Sequence, residues 1–477
     1  MTELPSKENA FFEWYNEVLE QAFVIDKRYP VKGLNVWTPF GFQALAAMDR
    51  ILRDAVAPLG YEEVNFPALI PETEFQKEKD HIKGFDRQVY WVTHGGATPL
   101  DVRLVLRPTS ETAMYPIFAL WVRSHTDLPL RVFQIVNTFR YETKTTRPMF
   151  RVREIHFFEG HTVQRDEQSA AQQVEKDLGS FRVIAEALGL SYLVHRRPEW
   201  DKFPGAHYSL ALDIPLGEGR TLQIGTVHHY RDNFSRPYGI SYEDAGGERR
   251  FAHQTTYGIS ERLLGAVIGI HGDSKGLVWP PSVAPVQVVI VPVPGKGPAG
   301  NLTPYAEEIE GRLRKAGLRV RTDDGPDRPG AKYYLWELKG APLRLEVGPH
   351  ESSGRTVTLV DRLGHRSQAS ADTLEAAVTG ALERFRVELS SRARAAFLGQ
   401  IEFVAAASGL ATAKNVRLFG WCGAEKCGHA VDEAVGGSLL GTVEGPPPPV
   451  PGLPTDPPSC VICGATPSRW ATASRPL

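Results

Sequence analysis

Arginines, a carboxylate and an imidazole recur within one short stretch of the chain, RYETKTTRPMFRVREIHFFEGH (140–161). The stretch predicts a β-hairpin, with FQIVNTFRYE as the first strand, TKTTRPM as the loop and FRVREIHFFEGHTV as the return strand. Side chains alternate faces along a strand, so Arg140 shares a face with Glu142. On the return strand, one face would carry Arg151, Arg153, Ile155, Phe157, Glu159 and His161.

Guanidinium groups match phosphate oxygens in a bidentate manner. The hairpin therefore suits a polyphosphate nucleotide that is held beside a small ligand with an amino group. A set of surface ion pairs is the alternative interpretation of the same residues, and the hairpin by itself leaves both open.

Three further segments carry polar side chains suited to such ligands. LVLRPTSET places Arg107, Thr109 and Glu111 where a strand runs into a helix, and Glu111 suits a ligand ammonium. In QTTYGISERLLGAVIGIHGD, Gly258 precedes a helix with Arg262 in its first turns, a place that favours phosphate by dipole and by charge. In LQIGTVHHYRDNFS, polar residues alternate or nearly alternate around a glycine: Gln223, Gly225, Thr226 and His228.

All four cysteines lie near the C-terminus, at Cys422, Cys427, Cys460 and Cys463. The spacing, C-x4-C followed by a long gap and C-x2-C, favours a tetrahedral four-thiolate zinc site over disulfides in a cytosolic chain. Free or partly occupied thiols remain the main alternative, and His429 is close enough in sequence to compete as a ligand.

The pattern of predicted helices and strands changes along the chain. GFQALAAMDRILRDAVAPLG predicts an amphipathic helix and EEVNFPALIP a strand. After the Pro-rich boundary GLVWPPSVAP, strands (VQVVIVPV, LRVRTDD, LRLEVGP, TVTLVDR) and helices (TPYAEEIEGRLRKAG, the short LWELK) predict an α/β domain with a largely parallel sheet. The first of these helices would have Thr303 as its N-cap and Gly317 as its stop. A long helix, TLEAAVTGALERFRVELSSRARAAF, leads to the cysteines.

Composition excludes some classes of function. The chain has 477 residues and a formal net charge of −2, so a strongly basic nucleic-acid binder is not indicated, although a local basic face remains possible. No apolar run approaches the ~20 residues of a membrane-spanning helix, and the N-terminus lacks a signal core. We expect a cytoplasmic protein without a membrane segment.

Taken in order, these segments resemble the prolyl-tRNA synthetases, class IIa aminoacyl-tRNA synthetases, of the archaeal/eukaryotic type. NFPALIP resembles class II motif 1, with Pro67 at a dimer contact, the hairpin resembles motif 2, and GISERLLGA resembles motif 3. RPTSET and FFEGHT resemble segments of the prolyl and closely related branches, and WELKG resembles part of an anticodon-binding domain. The resemblance runs along nearly the whole chain.

The resemblance implies a role for each site residue. Proline would be bound by Thr109, Glu111, Arg140, Phe157, Glu159, His161, Phe203 and His228. ATP would be bound by Arg140, Arg151, the backbone of Val152, Gln223, Thr226, Ser260 and Arg262. Arg140, at the proline carboxylate and the α-phosphate, and Arg262, near the γ-phosphate, would be catalytic. Glu337 and Arg344 would contact tRNA, and Arg147 in the hairpin loop would meet the tRNA acceptor end.

The implied fold is a multidomain α/β protein. It comprises a class II catalytic domain on an antiparallel sheet (1–283), an α/β anticodon-binding domain (284–385) and a small C-terminal zinc-binding α+β domain (386–477). The implied reaction activates L-proline with ATP and passes prolyl to the 3′ end of tRNA(Pro). Mg²⁺ would bridge the phosphates, Zn²⁺ would be structural, and a second copy would bind through motif 1.

Two other functions stay open at this point. One is a paralogue that activates proline for a carrier protein or small molecule. The other is a non-catalytic tRNA-binding or regulatory protein.

Selectivity for proline generates a first prediction. A smaller amino acid differs by a few methylenes, worth roughly 1–3 kcal/mol, or ~10–200-fold. Relatives of the bacterial type carry an editing domain between motifs 2 and 3, and the stretch from His161 to His253 leaves no room for one. We expect mischarging with alanine or cysteine that is not corrected in cis. Incubation of the purified protein with Ala-tRNA(Pro) tests this, and rapid deacylation would contradict it.

Overall fold

The computed structural model describes residues 3–78, 88–294, 302–466 and 468–475, and its elements fall into three groups along the chain. The helices of the first group are α1 (Phe11–Gln21), α2 (Pro39–Val56), α3 (Glu72–Phe75), α4 (Glu111–Trp121), α5 (Glu167–Leu188), α6 (Ser235–Tyr238) and α7 (Arg262–His271). Its strands are β1 (Ile25–Asp26), β2 (Val36–Trp37), β3 (Glu62–Glu63), β4 (Leu69–Pro71), β5 (Trp91–Gly95), β6 (Thr98–Leu106), β7 (Leu130–Phe139), β8 (Glu154–Gln164), β9 (Leu193–Arg196), β10 (Tyr208–Gly217), β11 (Arg220–Arg231), β12 (Ser241–Glu243), β13 (Arg249–Phe251) and β14 (His253–Ser260).

The second and third groups follow the Pro-rich boundary. The second consists of β15 (Val288–Pro292), α8 (Thr303–Lys315), β16 (Val320–Thr322), α9 (Pro329–Lys339), β17 (Leu343–Val347), α10 (Pro349–Gly354), β18 (Thr356–Asp361) and β19 (Arg366–Ser370). The third, here called the C-terminal module, consists of α11 (Leu374–Gly399), β20 (Ile401–Phe403), α12 (Ala407–Thr412), β21 (Val416–Trp421), α13 (Glu425–Val435), β22 (Ser438–Val443) and β23 (Arg469–Ser474). Within the described ranges, no helix is both long and apolar enough to cross a bilayer.

One 11-stranded sheet runs through the first and third groups, in the order β20-β21-β23-β22-β9-β10-β11-β14-β8-β7-β3. Every neighbouring pair from β9 to β7 is antiparallel, which confirms the predicted antiparallel catalytic sheet. Helices α5 and α7 pack on this sheet, and their apolar side chains join the largest hydrophobic core. The C-terminal module is an extension of the sheet, because β22 pairs with β9.

The hairpin is shorter than its sequence predicted. Strands β7 and β8 both stop short of the arginines, so Arg140, Arg151 and Arg153 lie beyond the strand ends and the prediction that they sit on a strand face was wrong. Backbone contacts still fix them. The N–H of Arg140 donates to the carbonyl of Arg153 at 2.9 Å, and Arg151 forms an isolated bridge with Arg147.

Four other local predictions also need correction. EEVNFPALIP forms two separate strands, β3 and β4, because Phe66 turns its N–H to the side chain of Gln134 and Pro67 has none to offer. The sheet of the second group is half parallel, since β15 pairs in parallel with β16 and β17, whereas β18 and β19 run antiparallel. LWELK is the end of the longer helix α9, and the N-cap of α8 is Leu302 with Thr303 already helical.

Two glycines allow the first and second groups to meet backbone to backbone. The N–H of Leu277 donates to the carbonyl of Leu338 at 2.9 Å. Gly276 has φ +138°, and a Cβ there would come within 2.5 Å of the Leu338 backbone. Gly340 has φ +73°, and its Cβ would come within 2.5 Å of the carbonyl oxygen of Leu277. Only glycine fits at these two positions, so the backbone contact between the first and second groups depends on the absence of a Cβ at Gly276 and at Gly340.

We expect Gly276→Ala to lower the free energy of unfolding by about 3 kcal/mol, because it combines a glycine-only φ with a backbone clash. Gly239 is the matched control, since its φ is +72° and a Cβ there meets no described atom within 4 Å. Gly239→Ala should cost about 1 kcal/mol for its left-handed backbone alone. Calorimetry of the two variants tests this. Equal losses in the free energy of unfolding would show that the backbone clash at Gly276 makes no added contribution.

Candidate active site

A cavity of about 540 Å³ opens where the catalytic sheet meets the end of the hairpin and the start of α7. Strands β10, β11 and β14 form its floor. The residues predicted from sequence that line it are Thr109, Glu111, Arg140, Arg151, Val152, Phe157, Phe203, Gln223, Thr226, His228, Ser260 and Arg262. Segments that are far apart in the chain thus supply a single pocket.

Three guanidinium groups gather on one side of the pocket. Nε of Arg140 donates to the carbonyl of Pro108 at 3.3 Å, and Nε of Arg262 donates to the carbonyl of Phe150 at 2.8 Å. Burial, together with the positive charges of Arg140 and Arg151, lowers the pKa of Arg262 to about 10. Like charges held this closely form a site that an anion stabilises, and α7 begins at Arg262 and adds its N-terminal dipole.

A buried carboxylate, that of Glu111, marks another part of the same pocket. Glu111 begins α4, and it accepts hydrogen bonds from the hydroxyl of Thr109 at 2.5 Å and from the hydroxyl of Tyr230 at 3.1 Å. Burial and then the charge of Glu111 raise the pKa of Tyr230, so the phenol stays protonated and donates. The sequence analysis missed Tyr230, although it follows His228 by two residues on β11 and that spacing was a usable signal.

Glu159 and His161 do not line the cavity, in contrast to the prediction that they surround the amino-acid ligand. Both are completely buried beneath it. Glu159 accepts from the N–H and hydroxyl of Ser110, from Nε2 of Gln134 at 3.0 Å and from the imidazole of His161 at 3.4 Å. Ser110 is the N-cap residue of α4, so Glu159 holds the start of the helix that carries Glu111.

Aromatic and neutral polar groups close the pocket near Glu111. The rings of Phe203 and His228 lie with centroids 4.8 Å apart, and Nδ1 of His228 contacts the hydroxyl of Ser209 at 2.8 Å. Burial, with a smaller contribution from His161, lowers the pKa of His228 to about 3. The imidazole is therefore neutral at physiological pH and acts as a hydrogen-bonding wall without charge.

The other two hairpin arginines have structural partners. The guanidinium carbon of Arg147 lies 3.5 Å from the centroid of the Phe12 ring on α1, so the loop is packed at this point and not free. Nε of Arg153 donates to the backbone carbonyl of Glu142 at 3.0 Å, and its guanidinium covers the ring of Tyr141. A backbone carbonyl and an aromatic ring therefore hold Arg153 in place.

Four charged residues line the cavity that the sequence analysis did not single out: Arg197, Asp201, Lys202 and Glu261. The first three lie in HRRPEWDK, directly after β9, where a dense run of charges offered a weak signal. The side chain of Arg197 is nearly buried, at 11% exposure, and contacts Asp213 at 3.2 Å.

The four cysteines converge, as their spacing predicted. One sulfur from each of Cys422, Cys427, Cys460 and Cys463 lies within 4.8 Å of the others. Such a cluster fits a tetrahedral ion with metal–sulfur distances of about 2.3 Å. Although burial raises the pKa of Cys460, backbone N–H groups lower it to about 7, which favours a thiolate. His429 packs instead against Trp200, with ring centroids 5.0 Å apart.

The two predicted tRNA contacts lie in different surroundings. Glu337, near the end of α9, is 3.4 Å from Nζ of Lys275. Arg344, on β17, stacks on the ring of Tyr333 at 3.9 Å and pairs with Glu346, which is also the partner of Arg366. The structure thus gives each residue a protein partner and leaves its role toward tRNA a prediction.

Comparison with known proteins agrees with this geometry. Residues 90–271 match the profile of the tRNA synthetase class II core domain (G, H, P, S and T), and residues 287–386 match that of an anticodon binding domain. A proline–tRNA ligase of Thermococcus kodakarensis is 50% identical over 437 residues, which is 90% of this chain and 91% of that protein. The chain belongs to the proline–tRNA ligase family. A relative from Archaeoglobus fulgidus is 50% identical over 467 residues, 97% of each chain.

Solved structures of this family are similar over the full length. Giardia lamblia prolyl-tRNA synthetase in complex with prolyl-adenylate has a TM-score of 0.91 and 32% identity and covers 100% of both chains. The enzyme from Cryptosporidium parvum, complexed with halofuginone and AMPPNP, has a TM-score of 0.91 and 29% identity, covering 100% of this chain and 97% of that one.

The buried position of Glu159 generates a prediction for the proline–tRNA ligase reaction. Glu159→Gln replaces an acceptor by an amide whose N–H groups face the donors of Ser110 and Gln134. Since a hydrogen bond to a charged group contributes about 1.5–3 kcal/mol, the KM for proline should rise about tenfold or more. Proline-dependent ATP–pyrophosphate exchange measures this.

Asp177→Asn is the matched control for that experiment. Asp177 is equally buried and accepts from Tyr61 and Gln173, both at 2.9 Å, but it does not line the pocket. Its removal should leave the KM for proline within about twofold of wild type. Equal changes in both variants would show a general loss of packing and would contradict a specific role for Glu159.

Proposed function

We propose that the chain activates L-proline with ATP to form prolyl-adenylate and pyrophosphate, and then transfers prolyl to the 3′ end of tRNA(Pro). The observation that carries this proposal is the division of one pocket into two parts. Arg140, Arg151 and Arg262 gather on one side, and Glu111 with its donors lies on another. A molecule with phosphates and an ammonium is complementary to both.

The chemistry requires little beyond positioning and charge neutralisation. The proline carboxylate is already ionised at neutral pH, so it attacks the α-phosphorus of ATP without a general base. An oxygen–phosphorus bond forms as the bond to pyrophosphate breaks. In the second step, the terminal 3′-hydroxyl of tRNA attacks the carbonyl of the adenylate and AMP leaves. Such reactions depend on alignment and on donors placed where charge develops.

In this proposal, the nucleotide lies along the arginine side of the pocket. Arg140 contacts both the proline carboxylate and the α-phosphate, and Arg262 lies near the γ-phosphate. The other ATP contacts are Arg151, the backbone of Val152, Gln223, Thr226 and Ser260. Mg²⁺ would supply further positive charge for the phosphates, and the carboxylate of Glu142, which lines the same pocket 3.9 Å from Arg151, would be the residue available to hold it.

Proline occupies the part of the pocket around Glu111. Its secondary ammonium donates to Glu111 and Thr109, and its ring packs between Phe157 and Phe203. His228 completes the wall as a neutral group. Glu159 and His161 act from below by holding α4, which revises the direct contact expected from the sequence.

Zinc is proposed as a structural ion on the four thiols of the C-terminal module. The fifth candidate, His429, packs against Trp200, and the pairs Cys422–Cys427 and Cys460–Cys463 come from two separate segments of the module. The ion would tie α13 to the segment that precedes β23. It takes no part in the chemical steps.

A homodimer through motif 1 is supported by apolar surface beside Pro67. Leu69, Leu120 and Trp121 are exposed by 42%, 58% and 47%, and the ring of Trp121 lies 5.7 Å from that of Phe66. A patch of this kind is costly in water and typical of a protein interface.

Glu337 and Arg344 are proposed as tRNA contacts in the anticodon-binding region. Since the protein would supply charged tRNA to translation, a cytoplasmic location is proposed for it.

The alternative is a paralogue that activates proline for an acceptor other than tRNA. The matched anticodon binding domain favours tRNA, since a carrier protein has no anticodon. Charging of a tRNA(Pro) transcript with labelled proline separates the two functions. Charged tRNA is the expected result, whereas adenylate formation without charging would support the paralogue.

Two arginines of the hairpin should separate the two steps of the reaction. Arg140→Ala should abolish ATP–pyrophosphate exchange, since a lost charge-assisted contact in a transition state costs about 10²–10³-fold. Arg147→Ala should impair transfer to tRNA more than adenylate formation, because Arg147 packs against Phe12 of α1 and does not line the cavity. Exchange and tRNA charging are measured for both variants. Equal losses in the two assays for Arg147→Ala would overturn this division.

A further inference from the structure

A buried chain of hydrogen bonds connects the C-terminal module to the active-site cavity. His195 on β9 is fully buried, with Nδ1 2.7 Å from Oδ2 of Asp213 and Nε2 2.7 Å from the hydroxyl of Thr472 on β23. A carboxylate only accepts, so Nδ1–H donates to Asp213, and Nε2 of a neutral ring accepts from Thr472. Burial lowers the pKa of His195, consistent with that neutral form.

The series of hydrogen bonds continues from Asp213 to the cavity wall. Oδ1 of Asp213 accepts from Nη2 of Arg197 at 3.2 Å. The other terminal nitrogen of Arg197, Nη1, donates to the carbonyl of Leu440 on β22 at 3.0 Å. The C-terminal module therefore contacts Arg197 twice, once directly through Leu440 and once through Thr472, His195 and Asp213.

Arg197 in turn faces a residue of the nucleotide side. Its Nη2 lies 3.5 Å from Oε1 of Gln223, and both side chains line the cavity. Gln223 also pairs with Asp213 across β10 and β11. With its carbonyl oxygen held toward Arg197, the amide turns its N–H groups the other way, where they can donate to an oxygen of the ligand.

The arrangement differs from an ordinary buried ion pair. Asp213 has two partners, His195 and Arg197, and the charge of Arg197 by itself compensates that of the carboxylate. Thr472 makes no contribution to this charge balance. The contribution of Thr472 is to hold the ring of His195. Without it, Nε2 becomes an unsatisfied buried acceptor, and the ring, Asp213 and Arg197 are free to shift.

We propose that His195 and Thr472 are positioning residues for the nucleotide, acting through Asp213 on Arg197 and Gln223. The C-terminal module thereby sets the geometry of the active site as well as extending its sheet. This inference rests on the proposed function, since it assigns Gln223 to the ATP side of the pocket. It predicts that a change on β23, outside the cavity, alters ATP binding selectively.

The test compares substitutions on one strand of the C-terminal module. Thr472→Val removes the hydroxyl and keeps the shape, while Thr472→Ser keeps the hydroxyl. Ser474→Ala is the matched control, because Ser474 lies on the same strand and bonds the hydroxyl of Thr221 at 2.8 Å without a link to Arg197. ATP–pyrophosphate exchange gives KM for ATP, KM for proline and kcat.

Thr472→Val removes one buried hydrogen bond from the series that links Thr472 to Arg197, and this loss should raise the KM for ATP about fivefold. The KM for proline and kcat should stay within about twofold, and Thr472→Ser and Ser474→Ala should resemble wild type. A rise shared by Ser474→Ala, or equal effects on both substrates, would indicate loose packing and overturn the proposal. Absence of proline-dependent exchange in folded wild-type protein would instead overturn the proposed function.

A double-mutant cycle tests the proposal independently of whether Thr472→Val folds. Arg197→Met and Gln223→Ala should each raise the KM for ATP, and the two effects combined should be smaller than their product, because one residue acts through the other. Multiplicative effects would show that Arg197 and Gln223 act separately, and they would contradict the proposal that Arg197 acts through Gln223.

Discussion

The structure depends on holding three positive charges together. Burial and then the charges of Arg140 and Arg151 disfavour the charged form of Arg262, and they lower its pKa to about 10. Backbone carbonyls at Pro108 and Phe150 hold two of them in place. These carbonyls belong to segments that the antiparallel sheet brings together, so the sheet is what makes the cluster possible and leaves it suited to an anion.

Carboxylates balance this charge from below and beside the pocket. Glu111 lines the cavity, whereas Glu159 bonds the start of α4, so the two buried glutamates differ in their partners. One rigid sheet therefore supports both halves of the ligand site. Because β22 continues that sheet from β9, the C-terminal module, which carries the four clustered cysteines, is attached to the same support.

Sequence patterns could predict what is local. The passage from strand to helix at Thr109 and Glu111, the glycine before Arg262 and the cysteine spacing all involve neighbours in the chain. Alternation along β8 put Glu159 on the same face as Phe157 but could not reveal that Ser110 at the start of α4 bonds it. The contact of His195 with Thr472 spans 277 residues, so no local pattern signals it. The strands predicted through Pro67 and through the hairpin arginines end earlier than expected. The N–H of Phe66 donates to the distant side chain of Gln134, and the N–H of Arg140 donates to the carbonyl of Arg153 outside the strand ladder.

The most direct test of the account is a crystal structure of the chain with a non-hydrolysable analogue of prolyl-adenylate. The account predicts the phosphate-like group beside Arg140, the proline ammonium at Glu111 and Thr109, and Glu159 without any contact to the ligand. An analogue bound outside this cavity, or an ammonium that bonds Glu159 directly with α4 displaced, would contradict it.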